Sequence, residues 1–179
     1  QGSLGRSLRT RGRPGGLSQA FLDVQDAFLS AEREDKGVVD AGALPPTARA
    51  PRLLLWRGDI TRLAAGAIVD ADNSALLGCF CPCHGCIDNA IHSAAGLQLR
   101  EECSRIMAAQ GHPEAAGQAK LTQGYNLPSP YVLHTVGPIV RGRLREEDCR
   151  TLSKCYRSCL ELAEHRGIRS VAFCCLSTG

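Results

Sequence analysis

Apolar residues recur along this chain at two spacings, and the switches between them mark out its elements. Leu17, Phe21, Val24, Phe28 and Ala31 follow a helical period from Leu17 to Arg33, with Gly37 as the stop. This helix is expected to pack on the body of the protein rather than stand alone. Gly42 to Pro51 reads as a linker, and Leu53 to Trp56 as a short apolar strand. Arg57 to Thr61 is a turn, and Thr61 to Ala65 gives room for one helical turn. Ala67 to Ala71 is a β run, broken by a polar turn and a Cys/His-dense loop from Gly78 to Cys86. A helix from about Cys86 ends near Gly96, and a second, Leu97 to Gln110, stops at Gly111. Gly117 to Leu127 reads as extended and enters the turn Pro128-Ser129-Pro130. Tyr131 to Val136 is a β run closed by Gly137-Pro138. Glu146 to His165 is helical, with Leu152, Cys155, Tyr156, Cys159 and Leu162 on one stripe and Gly167 as its cap. Ser170 to Leu176 is nearly all apolar, as expected of a central strand covered on both faces. Alternating β and α elements predict an α/β fold with a mixed or parallel sheet between helices.

Two boundaries follow from the same pattern. Residues 1–16 are Gly/Arg/Ser-rich and aperiodic, and are expected to be a disordered basic tail. Residues 17–51 form a helical extension and linker, and residues 52–179 the main domain. The chain stops at Ser177-Thr178-Gly179, directly after a strand of buried type. The expectation is that the next loop, with a further strand and helix, is missing.

Composition narrows the class. With 179 residues, 44% of them hydrophobic, the chain can bury a core. The net charge is +3, but Arg6, Arg9, Arg11 and Arg13 lie in the tail; without them 17 basic residues face 18 acidic ones. The body is therefore not an electrostatic nucleic-acid binder. No apolar run approaches the roughly 18 residues that span a membrane, and no signal-peptide pattern opens the chain. Ten cysteines without a secretion signal predict a reduced, cytoplasmic protein.

The chemistry concentrates between Ala67 and Gly96, where a strand feeds a polar loop and then a helix. Such a loop lies at the carboxyl edge of the sheet, where α/β proteins place ligands. Cys79, His84 and Cys86 offer thiolates and an imidazole, the ligands zinc prefers. Three ligands leave a fourth position open, as in catalytic sites; Cys81 or Cys83 would instead complete a structural one. The spacing alone does not decide, and bare loop thiols are the plain alternative. Asn73 and Ser74 can donate to and accept from ligand hydroxyls or simply form an Asx turn. Asp88 and His92 stand at i, i+4 on one helix face. Asp88 lies in the first turn, so helix capping competes with a role as base or ribose ligand, and His92 reads as a packed helix residue. Asp59 sits at a strand end, where capping the next turn is its ordinary task. Ser177, Thr178 and Gly179 offer hydroxyls and backbone N–H groups to a phosphate.

In this order, Gly58-Asp59-Ile60-Thr61, the segment Ala67 to Leu77, Gly124-Tyr125-Asn126-Leu127-Pro128, His134-Thr135-Val136-Gly137-Pro138 and Cys174 to Gly179 resemble the macrodomain family of ADP-ribose-binding proteins. The insertion from Gly78 to Asn89 resembles its zinc-containing branch, whose members are protein-ADP-ribose hydrolases. The resemblance implies a three-layer α/β/α fold with a mixed central sheet. It implies that Asp59, with Ile60 beside it, contacts adenine, and that Asn73 holds the distal ribose with Asp88 next to it. It assigns zinc to Cys79, His84 and Cys86, leaving Cys81 and Cys83 outside, and the diphosphate to Ser177, Thr178 and Gly179. One departure stands out. The family usually has Val-Asn-Ala-Ala-Asn-Ser where this chain has Val69-Asp70-Ala71-Asp72-Asn73-Ser74. Both changes add a carboxylate near a ligand that carries two phosphates.

The resulting expectation is a zinc-dependent hydrolase that removes ADP-ribose from mono-ADP-ribosylated proteins at a glycosidic or ester bond of the distal ribose. Asn73 and Asp88 are its candidate catalytic residues. Its implied partners are the modified protein, ADP-ribose itself and a sirtuin-like ADP-ribosyltransferase acting in opposition. A non-catalytic ADP-ribose-binding module and a structural zinc domain are the rival readings.

Overall fold

The computed structural model describes residues 16–178. The expected basic tail and Gly179 therefore lie, all but Gly16, outside the described residues. In chain order the elements are α1 (Gln19–Lys36), β1 (Val39–Asp40), β2 (Pro46–Thr47), β3 (Ala50–Leu54), β4 (Leu63–Ala64), β5 (Ala67–Asp72), α2 (Ile87–Ala95), α3 (Leu97–Gln110), β6 (Ala119–Gln123), β7 (Tyr131–Val136), α4 (Glu146–His165) and β8 (Val171–Ala172). The short 3-10 turns Ala41–Ala43 and Ile60–Arg62 lie between them.

The main sheet has the order β6-β7-β5-β8. β7 and β8 run parallel to β5, and β6 runs antiparallel to β7, so the sheet is mixed as expected. Side chains alternate across β5 because successive residues of a strand face opposite sides. Ile68 enters the core built with α2 and α3, where Ile91, Ala95, Leu99 and Cys103 pack with Val132 and Val136 of β7. Ala67 and Val69 enter the opposite core, against Cys155, Cys159 and Ala163 of α4. Two apolar cores, one on each face, make the three layers.

Several local expectations change. β8 stands at the edge of the main sheet rather than at its centre. Only Val171 and Ala172 pair, with Ala67 and Ile68, and residues 171–174 are half-buried. Leu53 to Trp56 is not a main-sheet strand. The strand covers Ala50–Leu54, forms an antiparallel pair with β2 and is largely exposed. Residues 42–51, expected as a linker, therefore carry β2 and the start of β3. Thr61 to Ala65 gives no α-turn: Ile60–Arg62 is a 3-10 turn that runs into β4.

α1 does dock on the domain, but not through its apolar stripe. Phe21, Val24 and Phe28 are exposed, and the buried residues are Gln25 and Leu29. Gln25 donates to Gln98 (2.6 Å) and accepts from the Leu97 amide (3.0 Å). Asp26 accepts from Gln98 and Asn126, and Arg33 donates to the Asn126 carbonyl. Gly96 lets this clamp close. Its φ of 99° suits glycine, and a Cβ there would stand 2.7 Å from the Gln25 side-chain amide.

Candidate functional site

β5 ends at the polar turn that the sequence singled out, and α2 starts after the Cys/His loop. Asn73 forms the Asx turn expected of it. Its Oδ1 accepts from the Ala75 amide (2.9 Å), an Asx turn, while its Nδ2 donates to Asp88 Oδ2 (3.3 Å) and to the Gly78 carbonyl (3.3 Å). Asp88 is 5% exposed, in the first turn of α2. The N-cap of that helix is Cys86, whose Sγ accepts from the Asn89 amide. The cap is thus a thiol, and Asp88 faces Asn73 and His92, with its Oδ1 3.6 Å from His92 Nε2.

The loop between Asn73 and α2 presents Cys79, His84 and Cys86 together. Their ligand atoms all lie within 4.8 Å of one another, and Cys79 Sγ is 3.6 Å from His84 Nδ1. A sulfur at about 2.3 Å and a nitrogen at about 2.05 Å from one tetrahedral ion stand about 3.6 Å apart, so the donor set fits zinc. Cys81 and Cys83 are exposed and do not join the cluster. No disulfide competes for the thiols. The Cys86 thiol is pushed up to about 11, chiefly by burial and then by Cys79 beside it. The buried Arg100 guanidinium holds the loop from below, 4.5 Å from the Phe80 ring centroid. Gly78, at φ 78°, leaves room: a Cβ there would come within 2.8 Å of His92.

Beneath the turn, Asp70 and Asp72 have fully buried side chains on the α2 side of β5, the side that Ile68 also faces. His134 of β7 is registered opposite Asp70. Its Nδ1 lies 3.2 Å from Asp72 Oδ2 and its Nε2 2.9 Å from Thr122 Oγ1. His92 Nε2 stands 3.8 Å from Asp70 and 3.9 Å from Asp72. Burial, with Asp72 adding to it, pushes the Asp70 carboxyl up to about 8. Burial, with Asp70 and Asp72 adding to it, pushes Asp88 to about 10. Burial also acts upward on Asp72, but its contacts with His134 and His92 outweigh it and hold that carboxyl well below the usual range. Sequence reasoning gave His134 no role. The signal was available: alternation on β7 puts His134 on the face of Val132 and Val136, toward the β5 acids.

The remaining site residues fall as follows. Asp59 is exposed and caps the 3-10 turn, accepting from the Thr61 amide (3.0 Å) and hydroxyl (2.7 Å), while Ile60 is buried. Ser177 has a left-handed backbone (φ 57°) and packs its hydroxyl against Gly137. Thr178 Oγ1 donates to the Cys175 carbonyl (3.1 Å). Among the described residues no helix is long and apolar enough to cross a membrane.

A protein-ADP-ribose hydrolase of Treponema medium is 49% identical over 176 residues, covering 97% of this chain and 67% of its own length. One from Staphylococcus aureus (strain MRSA252) is 46% identical over 167 residues, covering 91% of this chain and 61% of itself. The chain thus spans about three fifths to two thirds of the length of these relatives. A probable bifunctional ADP-ribose hydrolase/ADP-ribosyltransferase of Fusarium oxysporum is 42% identical over 91% of this chain, which spans 30% of it. Among solved structures, the Trypanosoma brucei macrodomain in complex with ADP-ribose matches with a TM-score of 0.70 and 35% identity, over 97% of this chain and 74% of that one. An Oceanobacillus iheyensis macrodomain with ADP matches with a TM-score of 0.61 and 37% identity, over 68% and 62%. The Macro domain model matches residues 69–179, from the middle of β5 onward. The three layers, the mixed sheet and the strand-turn-helix at the end of β5 agree with these matches, and the chain belongs to the macrodomain family.

Proposed function

We propose that this protein is a zinc-dependent hydrolase that removes ADP-ribose from mono-ADP-ribosylated proteins. One observation carries the reading: Asn73 Nδ2 is bonded to Asp88 Oδ2 at the start of the same helix that Cys86 caps, so a polar pair and a zinc-type ligand set share one loop. The hydrolase names of the relatives support the same activity. Asn73 orients the distal ribose, its amide able to donate to one hydroxyl and accept from another once substrate displaces the turn contacts. Asp88 stands next to that ribose as base or as the group that positions a water. Cys79, His84 and Cys86 hold zinc, which when bound polarises a ribose oxygen or lowers the pKa of a coordinated water. Asp59 and Ile60 take the adenine end, and Ser177, Thr178 and Gly179 begin the diphosphate loop. The opposing partner is a sirtuin-like ADP-ribosyltransferase; the Fusarium relative, named for both activities, supports such a pairing.

The test is release of ADP-ribose from a modified protein, with and without chelator. Release that chelator stops and zinc restores is the expected result. Tight ADP-ribose binding without release would make the chain a binding module. Full activity after complete removal of metal would end the zinc assignment.

A further inference from the structure

The Cys/His loop leaves a second group of donors unexplained. Asp70, Asp72, His92 and His134 lie one layer deeper, each at most 8% exposed. Their ligand atoms lie within 4.8 Å of one another. Both oxygens of Asp70 and both ring nitrogens of His92 lack a hydrogen-bond partner. An unpaired buried polar group destabilises the fold, and a charged one more so. Asp70 Oδ2 and His92 Nε2 face each other at 3.8 Å, and both call for a partner.

The distances say what kind of partner. His92 Nε2 stands 3.8 Å from Asp70 Oδ2 and 3.9 Å from Asp72 Oδ2; His134 Nδ1 stands 3.8 Å and 3.2 Å from the same two oxygens. Three of the four are too long for a hydrogen bond. Ligand atoms held at about 2.0–2.2 Å around a tetrahedral ion stand about 3.3–3.6 Å apart, close to what is seen. We propose that Asp70, Asp72, His92 and His134 form a second, buried metal site for a divalent transition ion of the zinc class.

A divalent cation could take the place of the protons this cluster holds and offset both carboxylates. Thr122 Oγ1, 2.9 Å from His134 Nε2, holds the ring with Nδ1 facing the acids, where it would ligate the ion once its proton is displaced. Cys103, 3.8 Å from the same Nε2, competes with Thr122 rather than with the ion. Two acids and two imidazoles suit zinc or cobalt, whereas calcium and magnesium prefer oxygen ligands alone. The site does not depend on the hydrolase reading, because none of its four ligands belongs to the Cys79 cluster.

The experiment is metal per chain by mass spectrometry after loading with zinc and desalting, repeated with cobalt and followed by absorption. Wild type should hold about two ions per chain. C79S/C86S should hold about one, with weak cobalt d–d bands and no thiolate charge-transfer band. D70N/D72A should hold about one, with the thiolate band intact, and the four-fold variant none. A C79S/C86S protein that holds no ion, or whose cobalt shows thiolate ligation, overturns the proposal. So does a folded D70N/D72A protein that still holds two. Should D70N/D72A fail to fold by circular dichroism, the C79S/C86S protein decides alone, since its buried cluster is unaltered.

Discussion

The exposed loop and the buried cluster beneath it present two different sets of metal-type donors in opposite settings. Cys79, His84 and Cys86 are exposed or half-buried and come from eight consecutive residues. Asp70, Asp72, His92 and His134 are buried and come from two strands and a helix. A loop of thiols in water stays folded when a ligand is lost, because the orphaned groups are resolvated. Buried acids and imidazoles have no such recourse, so their pairing is a matter of stability as well as chemistry. On the proposed function, catalysis and stability divide between the two layers, with Asp88 touching both.

The largest effect that would break this comparison is catalytic. C79S, H84A or C86S should each lower ADP-ribose release by on the order of 10³-fold or more, since the Lewis acid is worth several kcal/mol. Chemical denaturation of the same metal-free variants should shift by less than about 0.5 kcal/mol, as for other exposed substitutions. C81S/C83S should keep both metal and turnover; a metal-free C81S/C83S protein would reassign the ligands. H134A should do the converse. Losing one partner of a buried charged group costs about 3–5 kcal/mol, read as a lower urea midpoint with an unchanged slope. A loss under about 1 kcal/mol would mean that the buried cluster is not paired as described.

Asn73 and Asp88 lie between the layers. N73A and D88A should each cut turnover by on the order of 10²-fold with the fold intact by circular dichroism. Unchanged turnover in both would return them to turn and cap.

pH sharpens the contrast further. The carboxyl of Asp70 is raised from the ordinary 3.8 to about 8 in the folded chain. Between those values the folded state binds more protons than the unfolded one, so this group's contribution is fully present below about pH 4 and is lost as pH rises through 8. In metal-stripped protein D70N should therefore gain on wild type as pH climbs, by about 1–3 kcal/mol at pH 8, the usual cost of an unpaired buried group. A constant wild-type-to-D70N difference from pH 5 to 8 would contradict it. The smallest effect concerns ligand affinity. D72A should tighten ADP-ribose by a few-fold at most, and less as salt rises, since two charges about 8 Å apart repel by roughly 0.5–2 kcal/mol; D70N should do so only above about pH 8, where Asp70 loses its proton. Calorimetry that finds weaker binding in both would show that the acids assist the ligand.

Much of this was legible in the sequence, and what was not has a common cause. The Cys79 set is contiguous, and Asp88 with His92 follows helical periodicity, so their meeting needs only local geometry. Asp72 and His134 are 62 residues apart and meet because β5 and β7 pair in one register. No local pattern fixes that register. β8 looked central because it is apolar, yet strand order comes from pairing, and it lies at the edge. The stripe of α1 had helical spacing, but spacing does not say which face docks, and the polar face prevailed.

That docking has a consequence for the whole N-terminal half. Hydrocarbon faces tolerate sliding, because contact area changes little with a small shift. Amide-to-carboxylate contacts do not, because each is lost within about an ångström or a few tens of degrees. Gln25 and Asp26 meet Gln98 and Asn126, residues 72 and 100 positions further along the chain. α1 is thus seated by angle rather than by adhesion. It has one register on the domain, set by where α3 holds Gln98 and the turn after β6 holds Asn126.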